Sequence, residues 1–206
     1  VSDKLMNLLG THDTERVLTM LGSTEETVSE TILLDTPKLW SAETPNLYCC
    51  RVTLQEKEAA VDSAEATFGV RTLRLDSKRG LQVNGETVKL RGACIHHDNG
   101  LLGAISCDEA ELRRVRILKE AGFNAIRMAH NPASSALLRA CDKLGLYVMD
   151  EAFDMWSRPK KDNDYSLFID KWWKEDITAL VDNDFNHPSV IFYSLGNEIP
   201  EVDKYF

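Results

Sequence analysis

Apolar and polar positions change rhythm twice along the chain, dividing it into three zones. Residues 1–27 carry short apolar runs broken by Gly10, by Gly22 and by a polar stretch from Ser23 to Thr27. Residues 28–85 read as strands. Leu47–Leu54 is β-prone, and Val61–Val70 and Arg71–Leu75 follow after polar breaks. Asn84-Gly85 separates Leu81-Gln82-Val83 from Thr87–Leu90, and both residues tolerate the positive φ angles of a tight hairpin turn. From residue 86 onward, strand and helix alternate. Val88–Cys94 is an apolar strand. Ser106-Cys107-Asp108-Glu109 fits a capping box opening a helix on Leu112, Val115 and Leu118, which Gly122 stops. Asn124–Met128 is a strand, Ser134–Leu144 a helix closed by Gly145, and Leu146–Met149 a strand. Tyr165–Phe185 is a long helix with Ile169, Trp173, Ile177 and Leu180 on one face, and Val190–Leu195 is the last strand. This alternation predicts an α/β fold with a parallel sheet covered by helices. Either an open doubly wound sheet or half of a (β/α)8 barrel satisfies it.

The chain has 206 residues, 43% of them hydrophobic, enough to bury a core. Its formal charge of −9 argues against nucleic acid as a partner, since such proteins present a basic face. Arg158, Lys160 and Lys161 are followed at once by Asp162 and Asp164, so that stretch reads as a solvated loop. The apolar runs fall short of the ~20 residues that span a bilayer, so no membrane partner is expected. Cys49, Cys50, Cys94, Cys107 and Cys141 form no CxxC pair and have no histidine at zinc-finger spacing. Reduced thiols, a cytoplasmic location, and neither metal nor cofactor are the expectation. Val1 in place of methionine suggests a chain processed or cut from something longer.

In parallel α/β architectures, sites form where strands end at their carboxyl side. His96-His97-Asp98 follow the first barrel-zone strand, and Arg127, His130-Asn131-Pro132 the second. Asp150-Glu151, Asp154 and Trp156 follow the third, and Gly196-Asn197-Glu198 the fourth. Every exit is polar or ionisable. Further motifs stand in order around them: Pro37-Lys38-Leu39-Trp40, Pro45-Asn46-Leu47-Tyr48, Phe68-Gly69-Val70-Arg71, Leu90-Arg91-Gly92, Gly122–Arg127 and Asn186-His187-Pro188-Ser189-Val190. Taken together, residues 28–206 resemble glycoside hydrolase family 2, the family of β-galactosidases, β-glucuronidases and β-mannosidases. The resemblance implies the C-terminal part of an immunoglobulin-like β-sandwich over residues 28–85. It implies the first half of a (β/α)8 TIM barrel over residues 86–206, acting on a β-linked sugar.

By the same resemblance Glu198 is the general acid/base of a retaining glycosidase. That role needs one carboxyl group to protonate the leaving oxygen and then to activate water. Asn197 resembles the family's ligand for the sugar 2-hydroxyl. Arg127, His130 and His187 resemble residues that shape the pocket, and Trp156 offers an aromatic face for a pyranose. Plainer readings stand beside these. The histidines serve equally as structural hydrogen-bonding groups, Asp150 and Glu151 as packing support or as sugar or metal ligands, Arg127 as a counter-charge, and Trp156 as loop packing. The chain also departs from the family in two places. Asp182-Asn183-Asp184-Phe185 lacks the arginine usual before Asn-His-Pro, and Tyr193 replaces a tryptophan. The nucleophile resembles a glutamate late in the barrel, beyond the fourth strand, so this chain alone is expected to be inactive. Uncovered strand edges predict oligomerisation or a complementing polypeptide. The alternative function is a non-catalytic carbohydrate-binding or assembly fragment.

Residues 1–22 break the series. Asn7-Leu8-Leu9-Gly10-Thr11-His12-Asp13-Thr14 resembles a segment of α-amylase family 13, and residues 1–27 are read on that basis as an α-amylase-like segment joined to the rest in a chimera.

Overall fold

The computed structural model describes residues 32, 34–56 and 58–199. The expected α-amylase-like segment, residues 1–27, lies outside them. Two small antiparallel sheets come first. β1 (Tyr48–Glu56) pairs with β2 (Ala59–Phe68), and β3 (Leu73–Asp76), β4 (Gly80–Val83) and β5 (Glu86–Thr87) form a meander. The Asn84-Gly85 turn joins β4 to β5 with φ of 53° and 84°, as the sequence required. Then β6 (Gly92–Ile95), α1 (Asp108–Glu120), β7 (Ala125–Met128), α2 (Ser135–Leu144), β8 (Tyr147–Glu151), α3 (Ser166–Asp184) and β9 (Val190–Ser194) alternate.

These last four strands form one parallel sheet in the order β6-β7-β8-β9. Each new strand adds on the same side of its predecessor. A doubly wound sheet would reverse direction at a switch point, so the order is that of a barrel wall. α2 forms because Ser134 caps it, its hydroxyl accepting from Leu137 N, and because Leu137, Leu138 and Cys141 share one face. That face packs with Val115 of α1 against Ile126, Met128, Val148 and Val190 of the sheet. The capping box expected at Ser106 does not form. Cys107 occupies the cap position, and the Ser106 hydroxyl donates instead to Glu111.

A bridge ties the segment before β1 to the amino-terminal end of the barrel sheet. Trp40 is fully buried; its indole donates to the Asp142 carbonyl and its ring meets Tyr147 edge-on. Arg71 donates to the Pro188 and Val190 carbonyls at 2.5 Å each. Burial holds its guanidinium below the ordinary value, against the pull of Tyr193 and Asp142. Gly69 runs so close to this loop that a β-carbon would sit 2.6 Å from Pro188 Cγ. Gly69→Ala is therefore expected to destabilise the chain by about 1–3 kcal/mol, the usual cost of an overpacked contact. A urea midpoint unchanged from the parent would contradict this docking.

Candidate active site

Side chains alternate across a strand, so β7 and β8 each send one set to the helices and one into the barrel interior. On β7, Ile126 and Met128 face α1 and α2, leaving Arg127 on the inner face. On β8, Val148 packs on the helix side, which turns Glu151 inward and Asp150 outward. β9 would break this arrangement but for a bulge. Val148 pairs with Val190, whereas Met149 pairs with Phe192, so β9 takes one extra residue and its alternation flips. Ser194 consequently stands opposite Glu151 on the inner face.

Glu151 has no exposed surface. Arg127 grips it with a fork, Nε to Oε2 at 3.0 Å and Nη2 to Oε1 and Oε2 at 2.9 and 2.7 Å. Ser194 Oγ donates to Oε2 at 2.7 Å, and His130 Nδ1 lies 2.7 Å from Oε1 as the third partner. Burial pushes this carboxyl up, but the hydrogen bonds from Ser194, His130 and Arg127 outweigh it and hold the group below its ordinary value. The same bond raises Arg127 above its usual range. The centre is a fixed, ionised pair rather than a proton shuttle.

The carboxyl rim is built on that pair. Arg127 Nη2 also donates to Asn197 Oδ1 at 3.2 Å, Asn197 Nδ2 faces Asp154 Oδ1 at 3.4 Å, and Asn197 N donates to the Phe153 carbonyl. Gly196 makes the approach possible. It sits at φ +153°, and a β-carbon there would stand 2.8 Å from the Phe153 carbonyl oxygen. Glu198 follows at φ +48°, with its side chain 78% exposed and its Oε2 3.4 Å from Lys160 Nζ. Lys160 Nζ in turn lies 2.8 Å from Asp154 Oδ1. Asp154 is held below its ordinary value, first by that hydrogen bond. His96 stacks edge-on to His130 at 5.4 Å, and His97 Nε2 lies 2.9 Å from the Pro132 carbonyl. Among the described residues, no group of three or more His, Cys, Asp or Glu is arranged to hold a metal ion. No described helix is long and apolar enough to cross a membrane.

Arg127, His130, Asn197 and Glu198 thus share one rim, and three other residues expected there lie elsewhere. His187 stands before β9, at the opposite end of the sheet, with Nδ1 2.5 Å from Asp142 Oδ2. Trp156 is buried, its indole donating to the Leu195 carbonyl and its ring packed against Phe153 and Trp173, so it offers no face to a sugar. Asp150 points to the helix side, where Oδ1 accepts from Ala133 N and Glu151 N. The plainer reading fits these three: each is engaged by neighbouring backbone or side chains away from the rim opening. Glu151, Ser194, Asp154 and Lys160 join the site instead. Strict alternation from an outward Asp150 could have singled out Glu151; the bulge that delivers Ser194 leaves no sequence signal.

This is a barrel-wall segment whose carboxyl rim gathers three ion-paired carboxylates, Glu151 on Arg127 and both Asp154 and Glu198 on Lys160. A model of the glycosyl hydrolases family 2 TIM barrel domain matches residues 75–206, and a second family 2 model matches residues 3–71. The chain belongs to glycosyl hydrolase family 2. The β-galactosidase BoGH2A of Bacteroides ovatus is 40% identical over 86% of this chain and 21% of its own length. A putative β-glucuronidase of Formosa agariphila is 38% identical over 79% of this chain and 16% of its own. A family 2 member from Bacteroides cellulosilyticus superposes with a TM-score of 0.76 at 50% identity, covering 80% of this chain and 21% of that one. The chain therefore spans about a fifth of the length of such relatives. The α-amylase reading of residues 1–22 is overturned, because the family 2 match already begins at residue 3. Eight residues of common types around His12-Asp13 specify too little to mark a second family.

Behind the rim, Asp150 Oδ2 and Asp184 Oδ2 are buried without a donor. Burial first, then the facing Asp150 carboxyl, push Asp184 up to about 9, so the pair carries a proton at neutral pH. The unfolded chain releases that proton near pH 4 and the folded chain keeps it. Stability is therefore lost as pH rises from roughly 4 to 9. Asp184→Asn is expected to flatten that slope, measured as urea midpoints at pH 5 and pH 8. Parallel slopes in parent and variant would contradict the assignment.

Proposed function

We propose that this chain forms the acid/base side of the active site of a retaining β-glycosidase, β-galactosidase-like in substrate, with Glu198 as the proton donor. The observation that carries the reading is the linkage Glu151–Arg127–Asn197, which fixes the residue immediately before Glu198 on the rim of a family 2 barrel. In the first step the Glu198 carboxyl gives its proton to the leaving oxygen while a second carboxylate attacks the anomeric carbon. In the second step ionised Glu198 takes a proton from water, which displaces that carboxylate. Asn197, held by Arg127, is placed to meet the sugar 2-hydroxyl, and His130, pinned by Glu151, shapes the pocket wall. Glu151 is consumed by its donors, and Asp154 by Lys160 and Asn197. The attacking carboxylate is accordingly assigned to chain outside the described residues.

The β1–β2 ladder, together with the second family 2 match over residues 3–71, supports an immunoglobulin-like sandwich over residues 28–85 before the barrel. The five cysteines are unpaired thiols, which supports a reducing, cytoplasmic setting. Apolar side chains on the surface, Leu167, Phe168 and Trp172 of α3 among them, support assembly with further polypeptide.

The test compares leaving groups. In active protein carrying this chain, Glu198→Ala is expected to lower kcat/KM for phenyl β-galactoside by about 10²–10⁴, the worth of general acid catalysis. The loss should be far smaller for 2,4-dinitrophenyl β-galactoside, whose leaving group needs no proton. Equal losses on both substrates would sink the acid role.

A further inference from the structure

The Arg158–Asp164 loop looked solvated in sequence, but the structure folds one of its residues back onto the rim. Asp164 gathers the loop: its Oδ2 accepts from Lys160 N at 2.7 Å and Lys161 N at 3.0 Å, and its Oδ1 accepts from Ser166 N at 3.0 Å. At the other end the loop is anchored by buried Trp156 and its bond to the Leu195 carbonyl. Between those anchors the Lys160 side chain, two-thirds buried, reaches Asp154 Oδ1 at 2.8 Å and Glu198 Oε2 at 3.4 Å. Glu198 needs such a partner. Its backbone is in the left-handed region, its side chain is largely exposed, and among the described residues Lys160 is the one side chain its carboxylate pairs with. Lys161, one position on, makes no side-chain ion pair among the described residues.

We propose that Lys160 is a positioning residue. Held by the Asp164 turn and oriented by Asp154, its ammonium fixes the Glu198 carboxylate over the site. This rests on the acid/base reading of Glu198 for its functional meaning, but not for its test. A lysine suits the task better than a neutral donor, since it orients the ionised form that activates water and yields when the carboxyl is protonated. Two carboxylates already share its charge, which argues against a role in binding an anionic sugar.

The test uses the 206-residue chain. With glutamate labelled at the side-chain carboxyl carbon, Glu198→Gln identifies the Glu198 resonance by its loss. That resonance is expected to move in Lys160→Met and to return towards its parent position in Lys160→Arg. In parallel, slow reductive methylation read by mass spectrometry should modify Lys160 more slowly than Lys161. Lys160 should react about two- to fivefold faster in Glu198→Gln and Asp154→Asn, the factor that one partly exposed ion pair is worth. A Glu198 resonance indifferent to Lys160→Met, or Lys160 reactivity unchanged by both carboxylate variants, would overturn the proposal. If these signatures hold while leaving-group dependence fails in Glu198→Ala, the contact is real and the acid/base role is what falls.

Discussion

A carboxylate with no exposed surface must be compensated on all sides, and Glu151 shows how one such group organises a whole rim. Its compensation comes from two strands and a loop: Arg127 on β7, Ser194 on β9 and His130 just after β7. Breaking a buried pair by removing one partner typically costs about 3–5 kcal/mol, because the other charge is stranded. That penalty restricts the three donors to one geometry. The Asn197 side chain then takes the remaining reach of Arg127, and Glu198 follows one residue later.

The same constraint explains why the two ends of the sheet differ. At the amino end, Trp40, Arg71 and Asp142 meet backbone carbonyls and amides, and the result is docking. At the carboxyl end, side chains meet side chains, and the result is a set of charges whose spacing is fixed by the fold itself. Such preorganisation is what electrostatic stabilisation of a reacting centre requires.

Much of this was legible from local chemistry. Asn84-Gly85 can only be a tight turn, Ser134 caps its helix, and Ile169 with Leu180 marks the buried face of α3. Strand exits and family motifs directed the reading to the carboxyl end of the sheet, where Arg127, Asn197 and Glu198 stand. What escaped were effects that depend on three-dimensional closure. The bulge in β9 moves Ser194 across the sheet without changing its sequence character. Lys160 reads as solvent-facing until the Asp164 turn bends it back. Ser106 matches a capping box, yet its hydroxyl finds Glu111 and Ser134 in space instead. His187 and Trp156 carry residue types common in sugar pockets, but His187 is spent on Asp142 and Trp156 on the Leu195 carbonyl and the rings of Phe153 and Trp173.

The central claim, that one buried carboxylate holds both halves of the rim, is tested most directly by hydrogen exchange in Glu151→Gln. Peptides spanning residues 127–133 and 194–199 should lose protection together, while those of α1 and α2 keep theirs. Loss confined to one of the two segments, or none in either, would contradict it.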